Sequence, residues 1–410
     1  MAHHKLSGAF HATCPQELID LILGKTDSAT LKSCALVARS FRPTSQKLIF
    51  SDLTILPSGC DSIPALQRLA DVFSASPHLA LHVRTLHLVQ PGFYKPCVWM
   101  ESESDIVPAI LSMFTKLESL DIRVYNWDSL HSNCEQAIYA LITRSSLSSI
   151  ELKEARLKTN ATLLSLLQCL PSSLESASFL KVFANQYSSY HDGPKSASTE
   201  LHQLRLASLH LDSFSPMLFR WANRTVDLKC LRYLHTMVRE DTMDDVQQLL
   251  DGAVYVETCH LSFGSVYSQP ENPNLEKMQG LRTLEISVRL DWGEIEEFEG
   301  QGRHNPVNDA MRTLDTAPHT VEHLVLNLNI WNPDELSYFI GSTSFGSTSF
   351  DNLGEDHPAL QDVIVRIVSG YDYLAALQRG IRYLETVFYQ FHKRGMLTAV
   401  AVRPPSWEDN

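Results

Sequence analysis

One short pattern sets the terms on which this chain can fold. An apolar residue, two variable positions and then alternating apolar positions recur eleven times. The copies are VRTLHL (83–88), LESLDI (117–122), LSSIEL (147–152), LESASF (174–179), LASLHL (206–211), LRYLHT (231–236), VETCHL (256–261), LRTLEI (281–286), VEHLVL (321–326), LQDVIV (360–365) and LTAVAV (397–402). The fourth residues fall at 86, 120, 150, 177, 209, 234, 259, 284, 324, 363 and 400, so successive gaps are 34, 30, 27, 32, 25, 25, 25, 40, 39 and 37. Three equal gaps in a row mark a repeat. Alternation at period 2 sends successive side chains to opposite faces, so each copy reads as a strand.

Between the copies the apolar spacing changes to that of helices. Ile63, Leu66, Leu69, Ala70 and Phe73 share one helical face, as do Ile106, Val107, Ile110, Leu111 and Phe114, and again Val246, Leu249 and Leu250. Asn305-Pro306 and Asn332-Pro333 each place a capping side chain before a first-turn proline, and Asp334 and Glu335 complement the second helix's dipole. A longer stripe of Tyr373, Leu374, Leu377, Ile381, Leu384, Val387, Phe388 and Phe391 precedes Gly395 and the last strand. It suits a helix that shields the final repeat, with RPPSWEDN (403–410) as a loose tail that Trp407 pins.

A strand and a helix every 25–40 residues resembles a leucine-rich-repeat-like solenoid: each unit buries its apolar face only by stacking on its neighbours, with a parallel sheet on the concave side. The asparagine that usually follows the strand in such repeats is replaced by Val89, Glu154 or Asp212, so the array is degenerate. An ordinary α/β domain is the alternative fold.

Ahead of the repeats, residues 12–55 read ATCPQELIDLILGKTDSATLKSCALVARSFRPTSQKLIFSDLTI. Pro15 opens a short helix on which Leu18, Ile19, Ile22 and Leu23 form an apolar stripe. Ser28 is placed to cap a second helix carrying Leu31, Cys34 and Ala35, and a third helix runs into a strand. In this order of elements the segment resembles an F-box, in the form common at the head of fungal F-box proteins. It departs from that pattern at Cys14, where a leucine is usual, and at Phe41, where tryptophan is frequent; both replacements stay apolar. The resemblance covers about a tenth of the chain. It implies that Pro15, Leu18, Ile19, Ile22, Cys34, Val37 and Phe41 contact a Skp-type adaptor, helix against groove.

Composition narrows the function classes. The chain has 410 residues, 44% of them hydrophobic and 20% charged, which describes a globular protein long enough for a module plus a repeat array. With 47 acidic against 34 basic residues the net charge is −13, which argues against binding a phosphate backbone. Eight scattered cysteines (14, 34, 60, 97, 134, 169, 230, 259) contain no CxxC, so free thiols in a reducing compartment are expected. No apolar leader precedes residue 15 and no run of 18 apolar residues occurs, so the expected place is cytoplasmic or nuclear, with no membrane partner and idle sequons at Asn160 and Asn223.

No constellation of catalytic type stands out. Gly341-Ser-Thr-Ser-Phe-Gly346 has the glycine spacing of a phosphate loop, but Ser347 occupies the place of the lysine, and the GSTSF unit is simply duplicated. Gly300-Gln-Gly302 is too short for a dinucleotide turn. His78 and His82 lie four apart, yet Pro77 and the coming strand leave no metal-binding helix there. Glu240, Asp241, Asp244 and Asp245 read as the acidic start of a helix. A second acidic cluster, Asp291, Glu294, Glu296, Glu297 and Glu299, sits in a long insertion, where repeat proteins often carry binding residues; with Trp292 and Trp331 it forms the candidate target-binding set.

The expectation is therefore an α/β protein: an F-box module at 12–55, a leucine-rich-repeat-like solenoid at 56–403 and a tail at 404–410. It is expected to act as substrate receptor of an SCF-type cullin–RING ubiquitin ligase, holding the adaptor, and through it the cullin, at one end and a protein target at the other. Such a receptor has no catalytic residue, metal or cofactor of its own and works by raising effective concentration. The alternatives are a repeat scaffold outside any ligase and, third, an enzyme on an irregular α/β fold, for which no convergent titratable set is visible.

Overall fold

The computed structural model describes residues 15–56, 62–90, 105–144, 146–184, 203–213, 215–263, 272–290, 306–330 and 356–369, and 378, 381–382, 384–385 and 389–402 of the C-terminal segment. The chain divides into two compact units, residues 1–174 with 184–193, and residues 175–183 with 194–410.

The first unit opens with three short helices, α1 (Gln16–Leu23), α2 (Ser28–Val37) and α3 (Arg42–Ser51), which lead directly into strand β1 (Asp52–Ile55). Helices and strands then alternate: α4 (Ser62–Ala75), α5 (Pro77–Ala80), β2 (Thr85–Val89), α6 (Ile106–Ser112), β3 (Ser119–Arg123), α7 (Ser132–Arg144), β4 (Ser149–Lys153) and α8 (Asn160–Gln168). The four strands pair in parallel and in chain order. Their register aligns Leu53, Leu86, Leu120 and Ile150 in one row and Ile55, Leu88, Ile122 and Leu152 in another.

These rows face the helices and are buried, apart from half-buried Leu53 at the edge. The helices meet them with the stripes their spacing predicts: Leu66, Ala70 and Phe73 on α4, Val107, Ile110 and Leu111 on α6, and Ile138, Leu141 and Ile142 on α7. A tilted and edge-to-face chain of rings, Phe50–Phe73 at 5.9 Å and Phe73–Phe114 at 5.5 Å, fastens α3 to this layer.

The second unit continues the same construction with β5 (Ser176–Leu180), β6 (Ser208–Asp212), α9 (Pro216–Thr225), β7 (Tyr233–Val238), α10 (Met243–Gly252), β8 (Thr258–Phe263), β9 (Thr283–Leu290), α11 (Pro306–Asp315), β10 (His323–Ile330), β11 (Asp362–Ser369), α12 (Tyr389–Lys393) and β12 (Leu397–Val402). Its strands are again parallel and sequential. Ala177, Leu209, Leu234, Cys259, Leu284, Leu324 and Val363 form one buried row.

A backbone device repeats with the sequence pattern. Along most of the array the carbonyl of a copy's second residue accepts two amides from the next copy: Arg84 from Glu118 and Ser119, Arg232 from Glu257 and Thr258, Glu257 from Arg282 and Thr283, Glu322 from Gln361 and Asp362. That fixes why the second position varies freely in side chain. Surface pairs such as Arg84–Glu118 at 2.8 Å and Arg232–Glu257 at 3.4 Å decorate it. Exposed pairs of this kind contribute at most about 1 kcal/mol each.

Three details differ from the sequence pattern. Leu397, not Val400, lies opposite Val363, so the last copy is shifted by three residues. A strand made of six small and apolar residues alternates equally well in either frame, and pairing decides between them. The crossover from β8 to β9 shows no helix in its described part, 272–282; buried Leu275 and Met278 fill the layer instead. Within the C-terminal helical stripe the described Leu384 and Phe391 are buried, and Gly395 (φ +69°) turns the chain into β12. The expected helix start at Asn332-Pro333 and the tail at 403–410 lie outside the described residues. Elsewhere the left-handed residues Glu154 (φ 53°) and Lys181 (φ 50°) follow β4 and β5 directly, at the position that asparagine favours for its tolerance of that conformation.

Candidate functional site

The N-terminal helices bury only part of their apolar residues. Leu23 and Leu31 point inward and are buried, together with Ser45 of α3. Leu18, Leu21 and Ile22 of α1 are 50%, 63% and 63% exposed, and Leu36 and Val37 of α2 are 83% and 78% exposed. Five large aliphatic side chains on two consecutive helices thus face solvent, whereas scattered single exposures are the norm.

Local hydrogen bonds fix the frame beneath them. Pro15 sets the entry to α1 (φ −55°, ψ 144°). The Asp20 carboxylate accepts hydrogen bonds from Thr44 Oγ1 of α3 at 2.7 Å and from Gln16 Nε2 at 2.8 Å, which together hold it below the usual carboxylate range. Asp27, not Ser28, caps α2: its Oδ1 accepts from the Thr30 amide at 2.9 Å, and this bond lowers its own titration range. The cap sits one residue earlier than expected because Ser28 already has helical geometry, and an aspartate next to it offers the stronger acceptor.

Of the residues that the sequence resemblance singled out, Pro15, Leu18, Ile22 and Val37 are exposed on this surface, while Ile19, Cys34 and Phe41 are half-buried. Leu23, grouped with the outer stripe by spacing, belongs to the inner one. Leu21 and Leu36 were not singled out. Leu21 stands at i+3 from Leu18, and Leu36 adjoins Val37, but in an eight-residue helix with apolar residues at 18, 19, 21, 22 and 23 spacing alone does not choose the outer face.

The candidate target-binding residues Trp292, Glu294, Glu296, Glu297 and Trp331 lie outside the described residues, as do the glycine-rich stretches at 300–302 and 341–346. What the second unit does display is a ladder of three imidazoles on the sheet face opposite the buried rows. His210, His235 and His260 are register partners on β6, β7 and β8, with ring centroids 3.7 and 3.8 Å apart and stacked. Ser262 Oγ lies 2.9 Å from His235 Nε2, and Ser287 Oγ lies 2.6 Å from His260 Nε2. Next in the row, Glu285 accepts from Asn327 Nδ2 at 2.6 Å and from the Arg366 guanidinium at 3.5 Å. The sequence signal was there: each histidine follows the fourth residue of its copy, three times at intervals of 25.

Burial pushes the His235 imidazole down to about 2, with the neighbouring rings adding to the effect, and burial also lowers His260, against the opposing pull of Glu285. His235 and His260 are therefore neutral at pH 7, and the three rings stack across neighbouring strands. The buried thiols of Cys134 and Cys259 are pushed up to about 12 and stay protonated, the opposite of an activated nucleophile. His78 and His82 stand with ring centroids 6.5 Å apart, and among the described residues no group of three histidine, cysteine, aspartate or glutamate side chains is placed to hold a metal. Glu240 and Asp241 open a short turn, and Asp244 and Asp245 lie in the first turn of α10, where Asp245 pairs with Arg220 at 3.1 Å. No helix among the described residues is long and apolar enough to cross a membrane.

No family model matches the sequence, and comparison with curated proteins returns no match.

Proposed function

We propose that the chain is the substrate receptor of an SCF-type cullin–RING ubiquitin ligase. In this reading α1 and α2 are the core of an F-box that docks a Skp-type adaptor, and through it the cullin. The parallel array behind them is a degenerate leucine-rich-repeat solenoid that holds a protein target. The receptor itself performs no bond chemistry; ubiquitin transfer is accelerated because the target's lysines are kept at high effective concentration near the loaded enzyme.

The observation that carries the reading is the outward apolar surface of Leu18, Leu21, Ile22, Leu36 and Val37, on a segment whose order of elements resembles an F-box. Burying those five side chains against a partner removes several hundred Å² of apolar surface from water, worth roughly 25 cal/mol per Å² before the costs of association. Co-expression with a Skp-type adaptor tests it. The parent chain should co-purify with the adaptor, and Ile22→Asp/Val37→Asp, both at exposed positions, should not. A parent that folds and leaves the adaptor behind would remove the ligase assignment and leave a repeat scaffold.

A further inference from the structure

The charges of the N-terminal helices lean positive. Residues 15–51 carry five bases (Lys25, Lys32, Arg39, Arg42, Lys47) against three acids (Glu17, Asp20, Asp27), in a chain whose net charge is −13. Two of the three acids are engaged within the helices, Asp20 by Gln16 and Thr44 and Asp27 by Thr30. Lys25, Lys32 and Arg39 are exposed and make no ion pair with another described residue. Their positions border the apolar side chains. Lys25 follows Leu21 and Ile22 by four and three residues, and its amide still bonds to the Ile22 carbonyl at 3.1 Å. Lys32 precedes Leu36 by one helical turn on α2, and Arg39 follows Val37 by two residues.

We infer that the occupant of this surface is a protein groove with an apolar floor and an acidic rim, and that Lys25, Lys32 and Arg39 steer it into place. The inference rests on the docking reading above. An apolar centre with an excess of one sign of charge at its edge helps an interface select its partner: the centre holds the complex and the rim sets the encounter rate. A protein groove fits better than a lipid surface because the apolar side chains come from two short helices, the first of them tied to α3 through Asp20 and Thr44, rather than from one long amphipathic helix. The basic rim also offsets the repulsion that a chain of −13 would otherwise present to any acidic partner.

The test is the association kinetics of the full chain with a purified Skp-type adaptor at about 0.05 M and about 0.5 M salt, which spans weak to strong screening. The parent's association rate should fall about tenfold across that range, while Lys25→Gln/Lys32→Gln/Arg39→Gln should associate about tenfold more slowly at low salt and show little salt dependence, with dissociation nearly unchanged. The charge-conserving Lys25→Arg/Lys32→Arg/Arg39→Lys should behave as the parent, which separates charge from damage to the fold. Binding whose salt dependence is the same in parent and Gln variant overturns the inference and leaves the docking reading standing. A folded parent that ignores the adaptor overturns both. Salt-sensitive sedimentation with phosphatidylserine vesicles, in place of adaptor binding, would assign the surface to lipid instead.

Discussion

Replacing His235 by phenylalanine should abolish an acid sensitivity built into the second unit. In the fold this ring is 8% exposed, stacked between His210 and His260, and burial holds its proton affinity near pH 2. In the unfolded chain the same imidazole titrates near 6.5. Above that value both states are neutral and the residue adds no pH dependence. Below it only the unfolded state binds the proton, so stability falls as the pH drops, and goes on falling until the folded ring itself titrates. Each pH unit well inside this window costs somewhat over 1 kcal/mol, so moving from neutral pH to about pH 4.5 removes roughly 2–3 kcal/mol. Phenylalanine keeps the stacking and loses the Ser262 hydrogen bond, a pH-independent cost of about 1 kcal/mol. Urea unfolding of parent and His235→Phe at pH 7 and pH 4.5 isolates the effect, since all other titrating groups largely cancel in the difference. The parent's advantage of about 1 kcal/mol at pH 7 should invert at pH 4.5, where the variant should be the more stable by between 1 and 2 kcal/mol, roughly. A parent-minus-variant difference that stays constant between the two pH values would refute the reasoning.

Other consequences follow from burial and backbone geometry. Phe73→Ala empties the ring chain between Phe50 and Phe114 at a fully buried site and should cost about 3–5 kcal/mol in urea unfolding. Gly395→Ala meets no steric obstacle, yet forces a β-carbon into the left-handed region (φ +69°); about 1 kcal/mol of destabilisation is expected by the same measurement. Iodoacetamide at pH 8 should spare Cys134 and Cys259 in the native protein and modify them in urea, whereas half-buried Cys34, Cys169 and Cys230 should react earlier, as mass spectrometry of peptides would show.

The array was legible in the sequence because its rule is local. A residue such as Leu120 or Leu284 is spaced from its own copy's neighbours by the strand period, and stacking copies in parallel leaves one register that buries every such row. Local rules fail where two frames satisfy them equally, as in LTAVAV, whose pairing sets Leu397 and not Val400 against Val363. They fail too where a crossover packs without a helix, as Leu275 and Met278 do. The imidazole ladder needed information of another kind. Three histidines 25 residues apart become neighbours only after β6, β7 and β8 are placed in register, so no motif within one segment announces them. The exposed apolar side chains of the N-terminal helices were half visible. The apolar residues of α1 were plain, but which of them turn outward depends on Leu23 and Leu31 finding the interior and on Asp20 reaching Thr44 across 24 residues.

The central claim is that α1 and α2 are held ready for a partner, and hydrogen–deuterium exchange of the full chain with and without a Skp-type adaptor tests it most directly. The account predicts slowed exchange confined to peptides covering 16–37 when the adaptor is added, and no slowing in Ile22→Asp/Val37→Asp. Unchanged exchange at 16–37 in the presence of saturating adaptor, or protection confined to the strands of either unit, would contradict it.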